Sequence, residues 1–130
     1  MWFRNCARPG TPKIDDNVAR WAATVDAGDL FISAITLMEI ERGILSLARR
    51  DLAQASVLRK WFECQVQPEF AHRCLPVDAD IALHCARLPI ADKRSATDAL
   101  IASTAFWHDM IVVTRHTQDF DGLGVELINP

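Results

Sequence analysis

The chain has 130 residues, 50% of them apolar and 24% charged, with a net charge of −3. That length suits one domain, over residues 1–130, with a single hydrophobic core. The acidic balance excludes a broad electrostatic grip on nucleic acid, so any such contact must come from local basic residues. No apolar run reaches the length of a membrane span, and the N-terminal MWFRNCARPG has no apolar signal-peptide core. Cys6, Cys64, Cys74 and Cys85 form no C-x-x-C pair. Reduced, mostly buried thiols in a cytoplasmic protein are the expectation. His72 and Cys74 make an H-x-C pair, but the second pair that a zinc site needs is missing.

In chain order, Met1–Ile14 holds Pro9, Gly10 and Pro12 and reads as a loop. Asp15 or Asp16 then caps a short helix through Val18, Trp21, Ala22 and Val25, stopped near Gly28. Leu30–Ser33 reads as a short buried strand. A helix from about Thr36 to Arg49 follows, with Ile35, Met38, Ile40, Ile44, Leu45 and Leu47 at helical spacing. Thr36 is placed to cap it, and Glu39 three residues on completes a capping-box spacing. A second stripe, Leu52, Ala55, Leu58, Trp61, Phe62 and Val66, ends before Pro68. Cys74–Val77 is a short strand with Pro76 near its end. Asp78 or Asp80 caps a helix from Ile81 to Leu88, and a polar loop with Lys93 and Arg94 follows it. The next helix runs from about Thr97 to His108, on Leu100, Ile101, Ala105 and Phe106. Met110–Thr114 is the clearest strand, β-branched and uninterrupted. Val125–Ile128 is a last short strand. Helices alternating with short apolar strands predict an α/β domain with a mostly parallel sheet.

Acids stand at three places where such a sheet puts its chemistry. Glu39 follows the first strand. Asp98 opens the Thr97 helix on its apolar side, where a carboxylate must be paired, hydrogen-bonded or metal-bound, or else is a helix-start acid. Asp119 and Asp121 follow the strongest strand in Thr114-Arg115-His116-Thr117-Gln118-Asp119-Phe120, which also reads as a solvated turn before Gly122. A carboxylate-only set suits Mg²⁺ or Mn²⁺. Such an ion lowers the pKa of a water and stabilises a phosphodiester in transit. No G-x-S-x-G elbow, P-loop or G-x-G-x-x-G occurs, which argues against serine hydrolase, NTPase and dinucleotide chemistry.

SAITLMEIERGI, TDALIASTA and MIVVTRHTQDF, with GVELINP at the end, resemble the motifs of PIN-domain toxin ribonucleases of the VapC/FitB-like group. The resemblance runs from about Val18 to Pro130. It implies a PIN-like three-layer α/β/α fold and a Mg²⁺- or Mn²⁺-dependent endoribonuclease, the toxin of a toxin–antitoxin pair. It also implies a cognate small antitoxin as partner, RNA as substrate and a homodimer. By the same resemblance Glu39 and Asp98 are metal ligands and Asp119 a further or outer one. Thr114 supplies an orienting hydroxyl, and Arg115, Lys93 and Arg94 meet phosphate.

Two departures bear on activity. The family opens with a central strand ending L-D-T-N, whose aspartate is its first metal ligand, and no counterpart is present here. Ile14-Asp15-Asp16-Asn17 mimics it but lies too close to Ser33 for the family's spacing. His116 stands where the family usually has Asn or Asp. The expectation is a chain begun past the missing strand, its flanking strands left with unpaired edges and its activity impaired. The alternative is a non-catalytic remnant that keeps the antitoxin-binding and dimerisation surfaces.

Overall fold

The computed structural model describes residues 16–89 and 96–130. They divide into two compact units. The first takes residues 16–32 and Leu37–Cys74, the second Ser33–Thr36 with residues 75–89 and 96–130.

In the first unit, α1 (Asp16–Ala22) buries Val18 and ends before the expected Val25. A 3-10 turn, Ala27–Asp29, follows, in which the Asp26 carboxylate accepts the Gly28 N–H at 3.0 Å. The strand expected from Leu30 is only β1 (Ile32–Ser33). The reason is a long-range contact: the Leu30 carbonyl accepts from the Arg73 guanidinium at 2.7 Å rather than from a strand neighbour. Ile32 N–H donates to the Arg73 carbonyl at 3.0 Å, and β1 pairs with β2 (Cys74–Leu75).

Helix α2 (Ala34–Ala48) is followed by α3 (Leu52–Trp61), which Asp51 caps by accepting the Gln54 N–H at 3.1 Å. The expected stop before Pro68 does not occur. The chain widens into a π turn, Phe62–Val66, and runs on through α4 (Gln67–Glu69) with Pro68 inside it. Pro68 stands in the first positions of α4, where its missing N–H is tolerated. Ile32, Ile44, Ala55, Phe62, Val66 and Phe70 form the core, with Leu37, Ile40, Leu47 and Leu58 packed against it.

In the second unit, Asp78, and not Asp80, caps α5 (Ala79–Ala86), accepting the Ile81 N–H at 2.9 Å. Helix α6 spans Ala96–Trp107, and Asp109 then takes φ 54°, a left-handed position that Asp tolerates. That turn brings Met110 N–H onto the Ala105 carbonyl at 2.8 Å and leads into β3 (Val112–Val113). A 3-10 turn, Thr117–Phe120, precedes β4 (Leu127–Ile128). Strands β3 and β4 are parallel, with Val112 opposite Leu127 and Val113 opposite Ile128. Ile101, Ala102, Ala105, Val112, Phe120 and Leu123 form this unit's core.

The α/β class and the parallel pairing are as expected. Among the described residues the strands form two pairs, β1–β2 and β3–β4, each shorter than its apolar run suggested. Of the cysteines, Cys85 is buried, Cys74 half-buried and Cys64 exposed on the π turn, so the expectation of mostly buried thiols fails at Cys64. Burial pushes the Cys74 thiol up. Cys6 and the loop expected over Met1–Ile14 lie outside the described residues.

Candidate active-site carboxylates

Helix α2 begins two residues earlier than its sequence suggests. Ser33 Oγ accepts the Ile35 N–H at 3.1 Å, so the turn into the helix is made by Ser33 and not by Thr36. Thr36 is instead the third helical residue and is 2% exposed. Glu39 therefore stands in the second turn, beyond reach of the capping box, which needs the acid three residues after the cap. A half-buried carboxylate without that role stands free for other chemistry, and it belongs to the first unit.

Asp98, Thr114, Arg115 and Asp119 all belong to the second unit. Asp98 is the third residue of α6, in the first turn where the helix dipole stabilises a negative charge, and is half-buried. Its neighbours Ala99 and Ala102 are fully buried, which fixes the helix face that carries it. Thr114 ends β3: its N–H donates to the Ile128 carbonyl at 3.0 Å and its hydroxyl oxygen accepts the His116 N–H at 3.1 Å. That bond shapes the turn and leaves the hydroxyl hydrogen available to donate. Arg115, His116, Asp119 and Asp121 are exposed. Phe120, 4% exposed, pins the Asp119 turn to the core shared with Ile101 and Ala105 of α6. The structure thus brings the helix of Asp98 and the turn of Asp119 into one packed unit. Lys93 and Arg94 lie outside the described residues.

The donors here are carboxylate and hydroxyl oxygens, hard ligands that fit Mg²⁺ or Mn²⁺ and do not favour zinc. Among the described residues, no group of three or more His, Cys, Asp or Glu side chains is gathered closely enough to hold a metal ion. Mg²⁺ is commonly held by one or two carboxylates and retains several waters.

Periodicity also misplaced an aromatic group on α5 and α6. The His84 ring stacks on Phe106, centroids 4.4 Å apart and planes 8° from parallel, and is tilted against Trp107 at 6.5 Å. Phe106 was expected on the buried stripe of α6, and Trp107 follows it as the last residue of the helix. They are 49% and 48% exposed, since small residues, Ala99, Ala102, Ser103 and Ala105, occupy the buried side. Trp21 and Trp61 are half-buried, and Trp2 lies outside the described residues.

Helices flanking a short parallel strand pair, with acids at a helix start and after a strand, define an α/β domain of the kind that places its chemistry at strand ends. The chain belongs to the PIN-domain family, whose model matches residues 12–124. It is 31% identical over 129 residues to Toxin FitB of Neisseria gonorrhoeae, covering 95% of this chain and 91% of that protein. It is also 31% identical over 121 residues to VapC ribonuclease Y4jK of Sinorhizobium fredii, covering 89% of this chain and 85% of the relative. Among solved structures it is similar to the crystal structure of FitAcB from Neisseria gonorrhoeae. There the identity is 31% and the TM-score 0.79, over 94% of this chain and 90% of that one. The PIN-like α/β fold expected from the motifs is therefore the fold of this protein.

Proposed function

We propose that this protein is a Mg²⁺- or Mn²⁺-dependent endoribonuclease acting as the toxin of a toxin–antitoxin pair. The observation that carries the reading is the family match over residues 12–124, which contains Glu39, Asp98 and Asp119. Relatives named as a toxin and as a VapC ribonuclease support it, and solved complexes of FitA with FitB support an antitoxin partner. A homodimer and a cytoplasmic location belong to the same proposal. Among the described residues, no helix is long and apolar enough to cross a membrane.

In this reading Glu39 and Asp98 would hold the ion, with Asp119 as a further or outer ligand. When bound, a divalent ion supplies Lewis acidity, activating a water and neutralising phosphate charge. The protein's own part is positional. Asp98 stands at the positive end of the α6 dipole, and the Thr114 hydroxyl would orient a water or a carboxylate. Arg115, Lys93 and Arg94 meet phosphate oxygens, which fixes the substrate without reading its bases.

The test is RNA cleavage with Mg²⁺ or Mn²⁺, by this chain and by one preceded by an L-D-T-N strand. Cleavage is expected to rise with the added strand and to vanish in Glu39→Gln, in Asp98→Asn and with EDTA. Equal, Glu39-independent cleavage by both chains rejects the metal-site assignment. Capture of a small antitoxin with no cleavage by either chain replaces the enzyme with a binding module.

A further inference from the structure

The outer face of α2 carries charge that the reading above does not use. At about 100° per residue, Glu39, Arg42, Gly43 and Ser46 share one face of the helix. Leu37, Ile40, Ile44 and Leu47 fill the opposite side and pack into the core. Arg42, Gly43 and Ser46 are exposed, and a Cβ placed on Gly43 meets nothing within 4 Å. The backbone keeps turning past Ala48, with Arg49 N–H on the Ser46 carbonyl at 3.3 Å and Arg50 N–H on the Leu47 carbonyl at 3.0 Å. Two more exposed arginines therefore close the same end of the helix.

These guanidiniums are not spent on the fold. Among the described residues Arg42, Arg49 and Arg50 make no ion pair, whereas Arg59 is bound to Glu41 and Arg73 to Glu69. Glu41, the other acid of α2, lies on a different flank and is occupied by Arg59. What remains is a strip about 16 Å long, from Glu39 to Arg50, open at its middle and with three unneutralised cations along it. In a chain of net charge −3, that is a local concentration of positive charge.

We infer that this face of α2 is a track for the backbone of single-stranded RNA, its phosphates following Arg42, Arg49 and Arg50 away from Glu39. The inference rests on the nuclease reading, which makes Glu39 the point to which a scissile phosphate must be delivered. Cations spaced along a helix hold phosphates without base readout, and the missing side chain at Gly43 lets a backbone lie close. An acidic protein segment would meet the same cations. The position of Glu39 at the head of the strip favours RNA.

The test is fluorescence anisotropy with a fluorescein-labelled single-stranded RNA in EDTA, across a salt series, so that binding is read without cleavage. Removing all three charges in Arg42→Gln/Arg49→Gln/Arg50→Gln is expected to weaken binding roughly tenfold at low salt. It should also flatten the slope of log K against log salt by about 2, since each lost phosphate contact removes about 0.7 for a single strand. Arg42→Gln alone should flatten it by about 0.7, which keeps the test open if the triple variant fails to fold by circular dichroism. Lys60→Gln, an equal loss of charge on α3, should leave the slope as it is. An unchanged slope in the charge-removal variants overturns the track, even where Glu39-dependent cleavage upholds the nuclease. Polyglutamate binding that falls with the three charges while RNA binding does not would also overturn it, assigning the strip to an acidic protein segment.

Discussion

In the first unit a single side chain collects main-chain groups from three places. Arg73 donates to the carbonyls of Ala27, Leu30 and Glu69 and to the Glu69 carboxylate, and lies over the Phe70 ring with its guanidinium carbon 5.0 Å from the centroid. Arg59 does similar work on the surface, bridging α3 to Glu41 of α2. The second unit is built another way. On α6, Ala99, Ala102 and Ser103 are fully buried, with Thr104 at 2% and Ala105 at 8%. The Ser103 and Thr104 hydroxyls donate back to the Ala99 and Leu100 carbonyls at 2.8 Å, so they need no partner beyond the helix. Specific donors add to the apolar core of the first unit, and closeness of fit on α6 carries the second. The two should therefore fail under different substitutions.

The largest effect is expected at Arg73. Arg73→Ala removes a charged donor from half-buried carbonyls and should cost about 3 kcal/mol, read by urea denaturation. Arg73→Lys keeps the charge but not the planar fork, and should recover less than half of the loss. A loss under 1 kcal/mol in Arg73→Ala would erase the distinction between the units.

The complementary break is Ala102→Leu. Overfilling a fully buried position on α6 should cost about 2 kcal/mol. The same residue placed at the exposed Phe106, 49% accessible, should cost far less.

The smallest effect is expected at Glu41, whose carboxyl is held below its usual range first by the hydrogen bond from Arg59 and then by that residue's charge. A depressed carboxylate contributes stability above its unfolded pKa and loses it as the pH falls through the folded value. The gap in Tm between the unaltered protein and Glu41→Gln should thus be present near neutral pH and close below the usual carboxylate range. Added salt should narrow it as well, because the pair is exposed.

The same contrast explains what could be read in advance. Asp78 as one of two candidate caps, Ile40, Ile44 and Leu47 of the α2 stripe, and the β3 strand were legible because each is written in residues a few positions apart, whereas Leu45 of that stripe is 51% exposed. The start of α2 was misread, since Ser33 and Thr36 are both good caps and only the packing that buries Thr36 chooses between them. Pro68 reads as a stop in the sequence because a π turn leaves no simple periodicity there. Arg73 was not singled out at all, as its carbonyl partners lie 46 and 43 residues away and any residue type supplies a carbonyl.

By itself the sequence determined the α/β class and the motifs that place the chain in its family, and it singled out Glu39, Asp98 and Asp119 as the carboxylates to test. Those are matters of residue identity and short-range spacing. Tertiary structure alone decided that Glu39 stands past its helix cap, that Phe106 and Trp107 face outward, and that one arginine ties together the first unit's turns. Each of these depends on which distant groups compete for the same space or the same hydrogen bond, and local periodicity carries no record of that competition.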